Sequence, residues 1–269
     1  MNIVFWSNSR KKCGTTSNLI AIAALSSMVY ELKTIILNAG KNEELWRKNF
    51  ITDINCHGES ESIFKEDFSY YNCYGIDNII DELKLREGLA GIIEDNMFRV
   101  KDTDMYYIPP SKRYETGLYL KEMENVLPEI MKSAEKLSDI TFINVENGNG
   151  KLSKTIIEHA DVVVVNISED DMSDFDDEKL RNKAVFIIGR SSAPGDKIKG
   201  IAAGKYKKHM DNISVISDWK NWENSVEEGR IISFINEAVH SGNDEENFRF
   251  VKELFDAMNM ILKKAGYDV

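Results

Sequence analysis

The chain has 269 residues, of which 42% are hydrophobic and 29% charged, a balance that is typical of globular proteins and excludes a disordered chain. At roughly 150 residues per domain, this length accommodates one large domain or two smaller ones. The 34 Lys and Arg against 45 Asp and Glu give a net charge of −11, which repels a phosphate backbone. We therefore expect no general affinity for nucleic acids.

The segment around residues 10–30 decides the expected compartment. The longest uncharged stretch, Cys13–Tyr30, contains Gly, Thr, Ser and Asn and is too polar for a membrane span of roughly 18 residues. The basic residues Arg10–Lys12 stand where a signal peptide would carry them, but an apolar segment precedes them and no small-residue cleavage site follows. Three cysteines are too few for a disulfide framework. We expect a cytoplasmic protein without stable membrane insertion.

The first 40 residues predict a β-strand, a loop, a helix and a second strand, in the segments NIVFWS, NSRKKCG, TTSNLIAIAALSSMVYEL and KTIILNAG. Such a βαβ unit normally contributes two parallel strands to one sheet. The alternation resumes in the second half of the chain, with a helix in LKEMENVLPEIMKSAEKL and strands in MYYIPP, ITFINVENGNG, ADVVVVNISED, KAVFIIGR and NISVIS. Near-continuous apolar runs indicate strands that are buried on both faces.

These elements predict about seven strands in a single α/β domain over residues 1–269, a three-layer, doubly wound fold with a mostly parallel sheet. Residues 41–104 interrupt the alternation and are predicted to form a helical insertion, with helices around Gly75–Leu85 and Glu87–Phe98. The tail Glu245–Lys264 is predicted to be an amphipathic closing helix. Its apolar face includes Phe248, Val251, Leu254, Phe255, Met258, Ile261 and Leu262.

The loop after the first strand is the candidate ligand site, because ligands of parallel sheets bind at the carboxyl ends of the strands. Gly14 permits close backbone approach, and the first helical turn offers free N–H groups to an anion. Thr15, Thr16 and Ser17 add hydroxyls, and Lys11 and Lys12 add positive charge. The alternative is a basic, solvated loop whose Thr side chain caps the helix, and spacing alone leaves both interpretations open.

The loop resembles the phosphate loop of the MinD/ParA group of deviant Walker A ATPases, K-G-G-x-G-K-(S/T)-(S/T), and most closely its TadZ/CpaE-like branch at pilus-assembly loci. Aligned on Gly14, Arg10 takes the place of the signature lysine, Thr15 that of the second lysine and Thr16 that of the Mg²⁺-binding hydroxyl. The resemblance implies a cofactor-binding segment formed by Arg10, Lys11, Lys12, Cys13, Gly14, Thr15, Thr16 and Ser17.

Two further segments extend the resemblance over most of the chain. FINVENGNGKLSKTIIEHADVVVVNIS is similar to the family's Walker B stretch, and NWENSVEEGRIISFI is similar to the segment before the C-terminal helix of TadZ-like chains. The resemblance implies a P-loop NTPase fold, ATP and Mg²⁺ as cofactors, a homodimer, and protein partners from a secretion or pilus-assembly system.

Three positions depart from the family pattern in charge. Thr15 replaces a lysine, and Asn38 and Asn144 occupy the positions at the ends of two strands where the family carries aspartates. Glu146 follows Asn144 by two residues, and side chains two residues apart on a strand face the same way. Glu146 is therefore a possible substitute metal ligand, together with the Thr16 hydroxyl that the resemblance implies. Two loop glycines are replaced by lysines, and Gly189 and Arg190 stand where the family often has an adenine-contacting Asn.

Phosphoryl transfer depends on positioning and on charge stabilisation, so the lost charges predict a degenerate site with little or no hydrolysis. The leading hypothesis is a TadZ/MinD-like localisation or pilus-assembly protein, a pseudo-ATPase that uses its nucleotide as a structural or switching element. The alternatives are an active Mg²⁺-dependent ATPase of the same family and a ParA-type DNA-partitioning protein, which the net charge disfavours.

Two other clusters carry less weight. The acidic run from Glu169 to Glu178 is expected to be a solvated surface loop, because blocks of like charge repel each other and stay exposed. Cys56, His57 and Cys73 lack a fourth ligand at a suitable spacing, so we expect no zinc site.

Overall fold

The computed structural model describes residues 1–7, 13–40, 43–50, 75–100, 102–111, 113, 117–168, 180, 182–191, 212–240 and 245–267. Several segments that the sequence singles out lie outside the described residues: Arg10–Lys12 of the predicted phosphate loop, the acidic run at 169–178, and the cysteines and histidine at 56, 57 and 73.

One sheet of eight strands organises the described part of the chain, in the order β3-β4-β2-β5-β1-β6-β7-β8. All neighbouring strands pair in parallel except β3 and β4, which are antiparallel. This architecture confirms the predicted mostly parallel, doubly wound sheet. The strands are β1 Asn2–Trp6, β2 Thr34–Asn38, β3 Phe98–Arg99, β4 Met105–Ile108, β5 Ile140–Asn144, β6 Val162–Ser168, β7 Ala184–Ser191 and β8 Ile213–Ser217.

Helices cover both faces of the sheet, which gives three layers. The described helices are α1 Thr15–Met28, α2 Glu43–Phe50, α3 Ile76–Leu83, α4 Leu89–Asp95, α5 Gly117–Ala134, α6 Lys151–Glu158, α7 Lys220–Glu228, α8 Ile231–His240 and α9 Glu245–Lys264. Apolar residues of α1, α2, α7, α8 and α9 share one buried cluster with the sheet, and those of α3 to α6 share the other.

Helix α1 lies at the centre of its layer. Every residue from Thr15 to Ser27 is buried except Thr16, which is half-buried. The sequence favours this position, because a helix that is rich in Ala, Leu and Ile on all sides has no polar face to present to water. The sheet covers one side of α1, and helices α8 and α9 also pack against α1.

The insertion between β2 and β4 contains the predicted helices α3 and α4. The end of the second predicted helix is wrong, because Phe98 and Arg99 form the edge strand β3 and pair with Tyr107 and Tyr106. Helix α4 ends at Asp95, where Asn96 leaves the helical conformation. A two-residue strand leaves too short a pattern to be recognised in a sequence.

The closing helix α9 has the predicted bounds, but its predicted apolar face is wrong at one position. Phe248 is 64% exposed, whereas Phe250 is buried and its ring lies 4.8 Å from that of Trp222 and 5.5 Å from that of Phe234. Residues 248 and 250 are separated by about 200° around a helix of 3.6 residues per turn, so only one of them can face the core. The aromatic cluster selects Phe250. Among the described helices, none combines the length and apolarity needed to cross a bilayer.

Candidate functional site

Five neighbouring strands end in polar or small residues on the side of the sheet that faces α1. Side chains two residues apart on a strand lie on the same side of the sheet. The residue two positions before each of these strand ends is apolar, except on β6, where it is Asn166. We call this row the polar edge. In strand order it consists of Asn38 (β2), Asn144 (β5), Ser7 after β1, Ser168 (β6) and Gly189 (β7), all buried and all uncharged.

The N-terminus of α1 lies above this edge. Gly14 is its N-cap residue, with a left-handed φ of 75°, and no side chain caps the helix. The amide of Asn18 donates to the Gly14 carbonyl at 2.8 Å and begins the helical ladder. Within the described segments, the N–H groups of Thr15, Thr16 and Ser17 donate to nothing. These free donors and the positive end of the helix dipole favour an anion.

The side chains of the first turn follow a different pattern from the solvated loop with a Thr cap that the sequence also allowed. Cys13 is buried and its Sγ donates to Ser7 Oγ at 3.0 Å. The Thr15 hydroxyl is 3.3 Å from the same sulfur, so it points into the protein and not toward the helix N-terminus. Ser17 Oγ donates to the Gly14 carbonyl at 3.0 Å. The Thr16 hydroxyl makes no hydrogen bond to any described residue and is half-buried.

Asn38 and Asn144, the two predicted degenerate positions, lie opposite each other in the register of β2 and β5. Asn144 Nδ2 donates to Asn38 Oδ1 at 2.9 Å, and the backbone N–H of Gly40 donates to the same oxygen at 2.9 Å. Asn38 is 1% exposed, and its Nδ2 has no hydrogen-bond partner in the described part of the chain. The structure therefore brings these two residues together as a buried, neutral amide pair.

Glu146 lies beyond the end of β5 and is exposed. Its backbone carbonyl accepts from Ser153 Oγ at 3.0 Å. The loop continues over the end of β1, where Gly148 donates its N–H to the Ser7 carbonyl at 2.9 Å and accepts from the Trp6 indole at 2.8 Å. The role of Glu146 and Thr16 as metal ligands stays a prediction. Within the described residues, no three His, Cys, Asp or Glu side chains cluster in a way that could hold a metal ion.

A buried polar bridge that the sequence did not predict joins α1 to the sheet. Asn18 Nδ2 donates to Asn166 Oδ1 at 2.9 Å, and both residues are buried. Beside them, a Cβ atom on Gly189 would lie 2.1 Å from the Cys13 carbonyl oxygen and 3.0 Å from Asn18 Nδ2. Only glycine allows β7 to approach the start of α1 this closely. An Asn inside the apolar run VVVVNIS and a Gly at the end of KAVFIIG were the available signals.

Several solved structures align with this chain over nearly its whole length. A ParA family ATPase from Chlorobium tepidum TLS aligns with a TM-score of 0.61 at 10% identity, over 96% of this chain and 98% of its own. A variant of Cyanothece McdA in complex with ATP aligns with a TM-score of 0.61 at 12% identity, over 100% and 97%. MinD in the MinC:MinD cell division complex of Aquifex aeolicus aligns with a TM-score of 0.62 at 11% identity, over 100% and 98%.

The chain therefore has the fold of the ParA/MinD ATPases, over essentially its whole length. Identities of this size carry the fold alone. The sequence matches no protein-family model, and no curated protein matches it significantly.

The close approach at Gly189 gives a testable prediction. We expect Gly189→Ala to lower the free energy of unfolding by about 1–3 kcal/mol, because the added methyl group overpacks the contact with Cys13. Urea unfolding of the purified protein measures the change.

The matched control is Gly91→Ala in α4, where an added Cβ meets open space. This substitution removes a glycine from a helix and should raise the stability by up to about 1 kcal/mol. Equal urea midpoints for Gly189→Ala and the unmodified chain would contradict the assigned contact.

Proposed function

We propose that the protein is a localisation or assembly protein of the TadZ/MinD type that binds ATP at the polar edge and hydrolyses it little or not at all. The observation that carries this proposal is the neutral pair of Asn38 and Asn144, hydrogen-bonded at 2.9 Å. The pair occupies the ends of β2 and β5, where the resemblance places two carboxylates.

Nucleotide binding is supported by the start of α1. Three N–H groups without partners among the described residues lie above a row of polar side chains, and the left-handed Gly14 opens the turn that exposes them. Helix N-termini in this position of a parallel α/β sheet are the common sites for phosphate groups. One solved structure of the same fold contains ATP. We further propose that Arg10, Lys11 and Lys12, which lie outside the described residues, supply positive charge to the phosphates.

Weak hydrolysis follows from the charges that the site lacks. Thr15 stands where the resemblance places a lysine, and its hydroxyl lies 3.3 Å from Cys13 Sγ, so its side chain contributes no positive charge to a phosphate. The amides of Asn38 and Asn144 cannot neutralise a metal ion as two carboxylates do. Catalysis of phosphoryl transfer consists almost wholly of such positioning and charge terms.

The nucleotide would then act on assembly. A ligand shifts an equilibrium between two conformations or two dimer arrangements only as far as its affinity for them differs. We propose a homodimer in the cytoplasm whose arrangement the nucleotide selects, with a protein partner from a secretion or pilus-assembly system. The MinC:MinD complex is a protein of this fold assembled with a protein partner.

The first alternative is an active Mg²⁺-dependent ATPase in which Lys11, Lys12 and Glu146 compensate for the lost groups. The half-buried Thr16 hydroxyl favours it, because this hydroxyl makes no hydrogen bond within the described part of the chain. The second alternative, a ParA-type DNA-partitioning protein, requires an attraction to DNA that a net charge of −11 opposes.

We expect the protein to release phosphate from ATP at the background rate of its Thr16→Ala variant. The triple variant Thr15→Lys, Asn38→Asp and Asn144→Asp should be faster by roughly a hundredfold, the scale on which one transition-state-stabilising group acts. A steady-state phosphate-release assay compares the three proteins. Turnover of the unmodified protein that Thr16→Ala abolishes would instead establish the active ATPase.

We expect duplex DNA to bind with a dissociation constant above the micromolar range at physiological salt, because little affinity can come from counterion release. Fluorescence anisotropy with a labelled duplex, in the presence and absence of ATP, measures the affinity. Submicromolar binding in either condition would favour the DNA-partitioning alternative.

A further inference from the structure

The orientation of the Asn38 amide is fixed by the backbone. Gly40 N–H is a donor and nothing else, so the side-chain atom that it contacts at 2.9 Å must be the Asn38 oxygen. The atom of Asn144 that contacts this oxygen must then be its nitrogen. The remaining Asn38 atom, Nδ2, is an N–H donor, and it is both buried and without a partner among the described residues.

An unpartnered buried donor selects the chemistry of what can bind beside it. Leaving such a group without an acceptor destabilises the folded chain, and an anionic oxygen is its strongest partner. A metal cation cannot bind to this N–H group, because a cation needs a ligand atom with a lone pair and the amide N–H group has none to offer. Both lone pairs of Asn38 Oδ1 are already used by Gly40 and Asn144. Asn38 therefore does not fit Mg²⁺, which takes oxygen ligands.

A second polar atom without a partner lies on the same edge, on the other side of β1. Ser168 is 8% exposed, and its Oγ is buried without a hydrogen bond to any described residue. Strands β2 and β6, which carry Asn38 and Ser168, are separated by β5 and β1. Three strand spacings amount to about 14 Å. A ligand that uses both groups must be elongated, as a chain of phosphates with an attached nucleoside is.

The start of α1 lies at the part of the polar edge that β6 and β7 form. Its position beside β6 and β7 follows from the Asn18–Asn166 hydrogen bond and from the contact of Cys13 with Gly189. The free N–H groups of α1 therefore lie on one side of β1, and the Asn38 amide lies on the other side. All of these groups are hydrogen-bond donors or hydroxyls, and none is an anion.

We propose that the polar edge binds the polyphosphate of a nucleotide directly, without a divalent cation, and that a phosphate oxygen accepts the hydrogen bond of Asn38 Nδ2. The inference rests on the proposed nucleotide binding and gives it a specific chemistry. The ligand is the metal-free nucleotide, and magnesium adds nothing to its affinity.

Isothermal titration calorimetry of the full chain tests the proposal without any substitution. The probes are ATP, ADP and inorganic tripolyphosphate, each in excess EDTA and in excess Mg²⁺. We expect ATP to bind in EDTA at least as tightly as in Mg²⁺. Binding that is tenfold or more weaker in EDTA overturns the metal-free site and leaves the proposed nucleotide binding intact. No binding of any probe at millimolar concentration overturns both and moves the protein into the class of scaffolds without a ligand.

Variants of Asn38 then assign the contact. Asn38→Leu keeps the branched shape of the side chain and removes the donor, together with the oxygen that accepts from Gly40 and Asn144. We expect it to weaken ATP binding in EDTA by roughly tenfold or more, the scale of a hydrogen bond to a charged group. Asn38→Asp keeps the oxygen for Gly40 and places a second anionic oxygen where the donor was. Its ATP binding should be lost in EDTA and partly restored by Mg²⁺, which can bridge the two anions.

Thr34→Val is the matched control, because Thr34 is at the opposite end of the same strand and also has a buried hydroxyl without a partner. It should leave the affinity and its independence of Mg²⁺ unchanged. If Asn38→Leu binds ATP as tightly as Thr34→Val does, the assigned hydrogen bond is absent and the proposal fails.

Discussion

The burial of α1, in which only Thr16 and Met28 are partly exposed, determines how the other elements are arranged. A helix with no polar face has to be enclosed, and here the sheet, α8 and α9 surround it. Enclosure fixes its axis, and the Asn18–Asn166 hydrogen bond fixes its N-terminal end against β6. The absence of a side chain at Gly189 lets β7 close on the same end. The positive end of a rigid helix is therefore held at the edge of the sheet before any ligand arrives.

The chemistry of that edge is polar without being charged. In a buried site, charged groups must be paired with each other, with a metal or with a ligand, whereas amides and hydroxyls can satisfy one another and fold without a ligand. Asn144 and Gly40 both donate to Asn38 Oδ1 in this way, and Asn38 Nδ2 is the one atom of the group left without an acceptor among the described residues. Neutral groups of this kind supply no charge that could stabilise a metal ion or a transition state.

Much of the fold could be predicted because parallel strands that are buried on both faces have nearly continuous apolar sequences. The run VVVVNIS became β6, and the βαβ unit of the first 40 residues was correct. The limits have equally local causes. Phe248 and Phe250 fit alternative helical faces, and only the aromatic contacts with Trp222 and Phe234 choose between them.

The site was predictable in part. The sequence placed Asn38 and Asn144 at the ends of strands, and the register of β2 and β5 made them neighbours. The direction of the Asn38 amide depends on the Gly40 N–H, a backbone group that no side-chain pattern reports. The Asn18–Asn166 bridge links residues 148 positions apart, so it follows from the packing of α1 and not from any local motif.

The antiparallel strand β3 limits how copies of this chain can associate. An edge strand of ordinary length presents a row of free backbone groups to which a second sheet can add. Strand β3 has only two residues, Phe98 and Arg99, so it presents almost no free backbone groups. It is also antiparallel to its neighbour β4. Continuation of the sheet from one molecule into the next is thereby discouraged at this edge. At this edge, two copies of the chain could associate through side chains and not through an added strand.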